Sequence, residues 1–468
     1  MTRINTNVSS LLAQRTLRNN QQDLNTSLTR LSTGLQINTG ADDPAGLIAS
    51  ENLRAEKSGI LQAIDNGERA SNIIGTAEGG LSEVSTLLNE LQALVSQSAN
   101  PGGLSREEID ANQLQIDSIL QTVNRLSSAT SFQGQKLLDG TYDYTTSSAD
   151  ASAVVNVRVN AARIPDGGKN NVVVEVTNSA TQGVLSNAFT SSALSNTAVI
   201  EVKGTEGVEQ LAFGSGTALS AVVAAVNAVT VSTGVTASVG SVPNKIILRS
   251  EEYGGDEVVS AKTISGTFFD AQDQGTDAVV QVNGATATTD GLDVTFRNSN
   301  LDLEFRLTED LNAGNNKTFA VTGGGATFAL GSKVTETDKA AVGLQSVSSG
   351  SLGNDVDGFL SSLSSGGANQ ITSDNLVRAQ RIIDESIKQV SQLRGRLGAF
   401  QRFTIGSTIN SLGVAYENSS AAESAIRDTD FAEATAKLTR QQILSQSSTN
   451  VLAQANQTPQ LALQLLGN

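Results

Sequence analysis

Leucines at regular helical spacing near the N-terminus limit the possible folds of this chain most strongly. Leu17, Leu24, Leu28, Leu31 and Leu35 follow one another at steps of seven, four, three and four residues, which place them on one face of an α-helix. A stripe this narrow is typical of helices that pack in bundles or coiled coils. The sequence therefore predicts long helices whose apolar faces are covered by other helices.

The same spacing recurs further along the chain. Three more sets of residues repeat at helical steps: Leu114, Ile119, Val123 and Leu126; Ile383, Ile387, Val390 and Leu397, with Arg394 at a broken step; and Ile405, Ile409, Leu412 and Tyr416. Helical segments are therefore expected at both ends of the sequence, in residues 1–140 and about 370–468.

Helix boundaries are signalled by caps and prolines. Asp43 before Pro44 suits the N-cap and first turn of a helix that Pro101 would end. Ser105 and Glu108 have the spacing of a capping box for the next helix. The five prolines, Pro44, Pro101, Pro165, Pro243 and Pro459, are all expected at or near element boundaries.

Residues 141–369 have a different composition, rich in Gly, Thr, Val and Asn. The segments 155–160, 172–176 and 301–307 alternate apolar and polar residues, as half-buried strands do. Asn283 and Gly284 form a hairpin-turn signal, and one helix is expected over 217–229. The predicted fold class is α+β, with terminal helices packed as a coiled-coil-like bundle around a β-rich insert.

Composition excludes several classes of chemistry. The chain has no His and no Cys, so it cannot form a Ser-His-Asp or Cys-His nucleophile, a His/Cys zinc site or a disulfide. Its formal net charge of −16 disfavours nucleic-acid binding. The longest apolar stretch, 219–240, is interrupted by polar residues, so no membrane insertion is expected. The polar N-terminus lacks the apolar core of a signal peptide.

Candidate catalytic motifs have simpler structural interpretations. The glycines and lysine of 323–333 lack phosphate-loop spacing, and 213–220 is interpreted as a loop leading into a helix. The segment 354–358 has too few ligands for a calcium loop, so a turn is favoured. The carboxylate pairs 42–43 and 107–108 suit helix starts. We therefore predict no enzyme activity, no cofactor and no metal site.

Both ends of the chain resemble bacterial flagellin. The similarity covers INTNVSSLLAQRTLRNNQQDLNTSLTRLSTGLQINTGADDPAGLIASENLRAE (4–56), TSFQGQKLLDG (130–140) and the closing segment 424–467. Within that closing segment, RDTDFA (427–432) and QANQTP (454–459) are the most specific motifs. Residues 203–265 contain a segment that is similar to a repeat in flagellin and hook-associated inserts.

The resemblance implies a subunit of the extracellular flagellar filament, exported through the flagellar apparatus without a cleaved signal. It implies inner-tube helices in 1–43 with 420–468, a helical shell in 44–140 with 370–419, and an outward-projecting insert in 141–369. The implied partners are further copies of the chain, an export chaperone on the C-terminal segment, the filament cap and the hook junction proteins.

The terminal stripes are expected to pack against neighbouring subunits, because they are too narrow to make a core alone. The residues predicted for subunit packing are Leu11, Leu17, Leu24, Leu28, Leu31, Leu35, Leu438, Leu444, Val451 and Ala455.

The resemblance also implies that residues 87–100 correspond to a surface that an animal innate receptor reads in many flagellins. Those flagellins carry an arginine where this chain has Glu90, and a second where it has Gln92. Weak or absent receptor activation is therefore expected.

Two other functions are alternatives. A hook–filament junction protein has flagellin-like ends, although the C-terminal match favours flagellin. The other alternative is an enzyme-bearing or sugar-binding surface protein with a helical stalk. The absence of His excludes the HExxH peptidase that some flagellin inserts carry.

Overall fold

A computed structural model describes residues 6–100, 102–147, 153–165, 168–242, 244–309, 314, 316–372 and 376–466, and side chains as far as residue 457. Pro101 and Pro243, two of the expected boundary prolines, lie outside the described residues. The chain divides into a terminal unit, residues 1–68, 330–338 and 406–468, and a central unit, residues 69–329 and 339–405.

Long helices occupy both ends of the described chain. They are α1 (Val8–Thr33), α2 (Pro44–Ser98), α3 (Arg106–Ala129), the shorter α4 (Leu219–Ala228) and α5 (Thr230–Thr233), α6 (Leu376–Ala399), α7 (Ser407–Arg427) and α8 (Phe431–Leu466). A π-helical segment, Phe400–Gly406, connects α6 to α7.

Strands lie between Ser131 and Phe359. They are β1 (Ser131–Phe132), β2 (Gln135–Lys136), β3 (Thr145–Thr146), β4 (Val154–Ala162), β5 (Asn170–Asn178), β6 (Val184–Ala188), β7 (Ala198–Lys203), β8 (Val208–Phe213), β9 (Val235–Val239), β10 (Lys245–Ser250), β11 (Val258–Gly266), β12 (Ala271–Gln274), β13 (Val279–Val282), β14 (Ala285–Thr286), β15 (Thr288–Asp290), β16 (Asp293–Arg297), β17 (Leu301–Leu307), β18 (Asn316–Gly323), β19 (Ala326–Ala329), β20 (Lys339–Val342), β21 (Gly353–Asn354) and β22 (Gly358–Phe359). Long helices together with a β-rich region confirm the α+β class.

Helix α2 buries a seam with heptad spacing. From Ile60 to Ser98 its buried positions alternate steps of three and four residues without a break. The seam consists of Ile60, Ala63, Gly67, Ala70, Ile74, Ala77, Leu81, Val84, Leu88, Leu91, Val95 and Ser98. This spacing, sustained over so many turns, is the burial pattern of helices that pack along their length.

Both predicted N-caps are present. The Asp43 carboxylate accepts hydrogen bonds from the backbone N–H groups of Ala45 and Gly46 at 3.1 and 3.0 Å. Ser105 and Glu108 form the reciprocal capping box of α3, with the Ser105 N–H donating to the Glu108 carboxylate at 2.7 Å. These bonds satisfy backbone donors that a helix start leaves free, and they fix where α2 and α3 begin.

The predicted stripe of α3 is wrong in phase. Leu114 is 68% exposed and only Val123 of the four predicted residues is fully buried. The buried face instead includes Asn112 and Gln113. The Gln113 amide donates to the Leu363 carbonyl at 2.8 Å and accepts from the Ile371 N–H at 2.9 Å, so polar residues bury themselves by binding a backbone segment.

The expectation for Pro459 is also wrong. Helix α8 extends from Phe431 to Leu466 and so continues through this position. The residues on both sides are mainly Gln, Leu and Ala, which favour helix strongly enough to continue it beyond a proline.

The strand predictions are confirmed. Segments 155–160, 172–176 and 301–307 lie in β4, β5 and β17. Asn283 and Gly284 both have left-handed backbone conformations, with φ of 51° and 80°, and connect β13 to β14 as the turn signal indicated. The predicted helix at 217–229 begins two residues later than expected, at Leu219.

The β-rich region has two separate cores. A five-stranded sheet (β14-β13-β5-β18-β3) and a four-stranded sheet (β15-β16-β17-β4) enclose the first, which we call the base core. Sheets β12-β11-β7-β8 and β6-β10-β9, with α4, enclose the second, the module core. Every residue of the module core lies between Leu185 and Phe269, so one continuous segment builds it.

The chain enters and leaves the module at one pair of strands. Module residues also contact the rest of the central unit: Glu252 lies 2.7 Å from Arg306, and Tyr253 packs against the base core. Thr181 and Thr276 form an antiparallel bridge, with N–H···O distances of 2.9 and 3.1 Å and their hydroxyls 2.8 Å apart. The Asp277 carboxylate accepts from the N–H groups of Gly255 and Gly291 at 2.7 and 2.9 Å. The chain thus enters and leaves the module at adjacent positions.

We predict that residues 182–275 can be replaced by Asn-Gly without unfolding the rest of the chain. Paired residues of an antiparallel bridge are about 5 Å apart, a gap that a two-residue turn closes. The shortened protein should keep its far-ultraviolet circular dichroism per helical residue and melt cooperatively. A variant that is soluble but lacks a cooperative transition would contradict the separation of the two cores.

Candidate assembly surface

Helices α1 and α8 of the terminal unit pack side by side in antiparallel orientation. The Asn7 amide donates to the Ala455 carbonyl at 2.8 Å, and the Ser10 hydroxyl donates to the Asn456 side chain at 2.7 Å. Further along, the Asn20 amide donates to the Ser448 hydroxyl at 2.5 Å. Polar side chains therefore set the register of the pair.

Small residues fill the seam between these helices. Ser10, Ala13, Ser448 and Ala455 are each at most 8% exposed. Small side chains let two helix backbones approach closely but bury little apolar area. The pairing of α1 with α8 therefore contributes little hydrophobic stabilisation.

Several large apolar side chains of both helices face outward. At least a third of the surface of each of these residues is exposed: Val8, Leu11, Leu12, Leu28, Phe431, Ile443, Leu444 and Val451. A groove of about 400 Å³ between the helices has Leu12, Leu444 and Val451 on its walls. Contiguous exposed apolar surface of this kind marks an interaction site. We call it the terminal apolar surface.

The predicted packing residues fall into three groups. Leu11, Leu28, Leu444 and Val451 are exposed, whereas Ala455 is buried against α1. The remaining predicted residues are half-buried: Leu17, Leu24, Leu31, Leu35 and Leu438. Their role between subunits stays a prediction.

Sequence reasoning missed Val8, Leu12 and Ile443. The doublets Leu11-Leu12 and Ile443-Leu444 were the available signal, because two adjacent apolar residues on a helix widen its apolar face beyond one stripe.

Two turns fasten the helical ends together. Leu35 and Asp428 form an antiparallel bridge, in which the Gln36 N–H donates to the Arg427 carbonyl at 2.7 Å and the Thr429 N–H to Gly34 at 2.9 Å. Gly34 has φ of 74°, a left-handed conformation that favours glycine. The bridge thereby joins the α1–α2 turn to the α7–α8 turn.

Charged contacts support these turns. The Lys57 ammonium lies 2.8 Å from the Glu423 carboxylate, which raises the pKa of Lys57, and 5.4 Å from the centre of the Tyr416 ring. Hydrogen bonds from Thr39, first its backbone N–H, hold the pKa of Asp42 below its usual value. Both groups therefore favour their charged forms in the fold.

Glu90 and Gln92 lie on α2 in the central unit. Glu90 is exposed, whereas Gln92 is half-buried and its amide donates to the Asp384 carboxylate at 2.8 Å. The receptor prediction for these residues is not tested by this geometry.

A polar cleft of about 260 Å³ lies between α6 and the sheet that contains β16 and β17. Its cations face carboxylates: Arg306 lies 3.1 Å from Asp293, and Arg158 and Lys388 lie 4.0 and 3.8 Å from Glu385. Because these charges neutralise one another, the cleft presents no concentrated charge for a ligand.

Neither a metal cluster nor a membrane span is found in the part of the chain that the structure describes. No group of three or more His, Cys, Asp or Glu side chains in that part of the chain is arranged to hold a metal ion. Among the described helices, none combines the length and apolar character needed to cross a membrane.

Exposed apolar surface on paired terminal helices is typical of a subunit that packs against other chains, and comparison with known families identifies the class of protein. The bacterial flagellin N-terminal helical region matches residues 4–143, and the bacterial flagellin C-terminal helical region matches 380–466. The flagellin hook IN motif matches 199–252, within the module.

Relatives that align over their full length support the same family. Flagellin D of Vibrio anguillarum is 31% identical over 467 residues, and Polar flagellin F of Vibrio parahaemolyticus is 30% identical over 464 residues; each alignment covers 99% of both chains. The chain belongs to the bacterial flagellins. It is a flagellar filament subunit, and the junction-protein alternative is not supported.

A solved structure, FliC from Burkholderia pseudomallei, is similar over 71% of this chain and 99% of that chain, with 16% identity and a TM-score of 0.25.

Replacing exposed apolar residues of α8 should weaken assembly without unfolding the subunit. Val451 is 56% exposed and Ala455 is 8% exposed. Val451→Ser should leave the circular dichroism and melting temperature of the monomer unchanged but raise the monomer concentration left after seeded polymerisation by about tenfold, as for loss of a buried contact worth about 1.4 kcal/mol.

The matched variant Ala455→Ser is a smaller change within the α1–α8 seam, and should leave that concentration within about threefold of the parent value. Equal effects at the two positions would contradict the assignment of the terminal apolar surface.

Proposed function

We propose that this flagellin polymerises through the terminal apolar surface, and that its role is structural and not catalytic. The observation that carries the proposal is the contrast within one helix pair: the fully buried residues of the seam are small, and eight large apolar residues stay exposed outside it. Neighbouring copies would cover these exposed residues, and burial of the exposed part of each would contribute roughly 1 kcal/mol. Head-to-tail contacts that do not close into a ring generate a helical filament.

We further propose a layered placement of the chain in that filament. Residues 1–43 with 420–468 would line the inner tube, 44–140 with 370–419 would form the shell, and 141–369 would project outward. The continuous heptad seam of α2 supports a bundled shell. The module, built from one segment that the chain enters and leaves at one bridge, suits an outward position.

The terminal helices are proposed to be disordered before assembly. Ordering a residue costs roughly 1–2 kcal/mol of conformational entropy. The fully buried side chains between α1 and α8 are mainly small, so their burial does not offset this entropy cost. The ordered state is favoured only where other subunits cover the apolar surface. Disordered ends would also suit export through a narrow channel without a cleaved signal.

The partners proposed from the family are an export chaperone, the filament cap and the hook junction proteins. An export chaperone would cover the C-terminal segment, where Ile443, Leu444 and Val451 are exposed. Covering these residues in the cell would prevent premature assembly, because exposed apolar patches drive association.

Limited proteolysis tests the order of the ends. The monomer should be trimmed at both termini to a stable core, and filaments should resist the same protease. A chain lacking 435–468 should fold, as judged by circular dichroism, but form no filaments. Protected termini in the monomer, or filaments from the truncated chain, would contradict the proposed assembly mechanism.

The receptor proposal is tested by reversing the charge. Native protein should activate the innate receptor weakly or not at all in a reporter cell assay, because an unpaired acidic group in a desolvated contact is costly. Glu90→Arg with Gln92→Arg should increase activation, by about tenfold or more.

Glu83→Arg, also at an exposed position of α2, is the control for added charge and should have little effect. Potent activation by the native protein would refute the proposal.

A further inference from the structure

The inward face of α6 continues beyond Ala399 with a period that an α-helix cannot keep. Leu393, Leu397 and Ile405 are buried, Gln401 is half-buried and bonded to Ser71, and the four follow at three successive steps of four residues. Each such step turns an α-helix about 40° too far, so Leu393 and Ile405 would differ by about 120°. A wider turn must be inserted to keep these residues on one face.

The π-helical segment Phe400–Gly406 is that wider turn. Within the central unit its inward side chains are fixed. The Phe400 ring lies 6.1 Å from the Phe328 ring, the Gln401 amide donates to the Ser71 hydroxyl at 2.8 Å, and Ile405 is 1% exposed. Three anchored side chains leave the two residues between Gln401 and Thr404 to point outward.

Those two residues form an exposed pair. Phe403 is 68% exposed, in a chain with only 13 Phe. The Arg402 guanidinium lies 5.3 Å from the centre of the Phe403 ring, within range of a cation–π interaction. This contact orders the ring without burying it, and it places a positive charge beside an apolar surface.

We propose that Arg402 and Phe403 form a lateral contact with a second copy of this chain in the filament. The inference rests on the proposed function, since it needs a neighbouring copy. Aromatic and arginine side chains are the groups that most often dominate protein interfaces, and π-helical turns are frequent at functional sites. The extra residue of the π turn positions this pair on a rigid helix.

The family makes a second copy the partner, since the chain is a flagellin and its neighbours in a filament are further copies of itself. With 47 Asp and Glu against 31 Lys and Arg, the surface of such a copy has more carboxylates than cations. Arg402 beside Phe403 is a positive group that such a surface attracts. Docking would bury the ring and pair the guanidinium.

Seeded polymerisation of the full chain tests the proposal. Phe403→Ala and Arg402→Glu should each raise the monomer concentration left at equilibrium at least about tenfold, with the monomer melting temperature unchanged. Leu114→Ala is the matched control, because Leu114 is also 68% exposed and lies on a helix of the central unit. It should polymerise like the parent chain.

Three results are decisive. Phe403→Ala and Arg402→Glu chains that polymerise at the parent concentration would overturn the proposal, as would an equal loss in Leu114→Ala. Failure of the parent chain to form filaments would instead contradict the proposed function. If Phe403→Ala lowers the melting temperature, the exposed Arg402→Glu charge reversal decides alone.

Discussion

The heptad seam of α2 is the constraint on which the helical part of the molecule depends. Its buried positions keep alternate steps of three and four residues from Ile60 to Ser98, so one face stays covered over more than ten turns. Polar contacts then fix its partners within the central unit: the Arg394 guanidinium lies 2.8 Å from Glu78, and Asn112 donates to Ser98 at 3.1 Å. Burial of the apolar seam decides which face of α2 packs inward, and the polar contacts fix its position along its partners.

The two helical regions use apolar residues in opposite ways. In the central unit Leu81, Leu88 and Leu91 are fully buried, so that core is complete within one subunit. In the terminal unit many large apolar residues of α1 and α8 stay exposed. If neighbouring copies cover them, as we propose, part of the hydrophobic stabilisation exists only in the assembly, which would couple the folding of the ends to polymerisation.

Patterns that depend on neighbouring residues were readable from the sequence. Strand alternation, the Asn283-Gly284 turn and the caps at Asp43 and Ser105 were all predicted, because each is decided within a few residues. The α2 seam was missed because Ala, Gly and Ser occupy five of its twelve positions, and small residues do not stand out as a stripe. The α3 phase was wrong because the burial of Gln113 depends on backbone groups 250 residues or more away. The packing role of the terminal leucines is not encoded in contacts within one chain, because it concerns surfaces between chains.

The bridge between Thr181 and Thr276 makes the module a candidate for exchange. The chain enters and leaves the module at neighbouring residues, so the distance that an inserted segment must span does not depend on its length. The entropy cost of closing the loop grows only slowly with that length. Changes of sequence or size that leave the contacts of Glu251 with Arg381 of α6, of Glu252 with Arg306 and of Tyr253 with the base core in place need not be transmitted to the helices. Such a junction is a natural graft point, at which a foreign domain with adjacent termini would be displayed once per subunit along a filament.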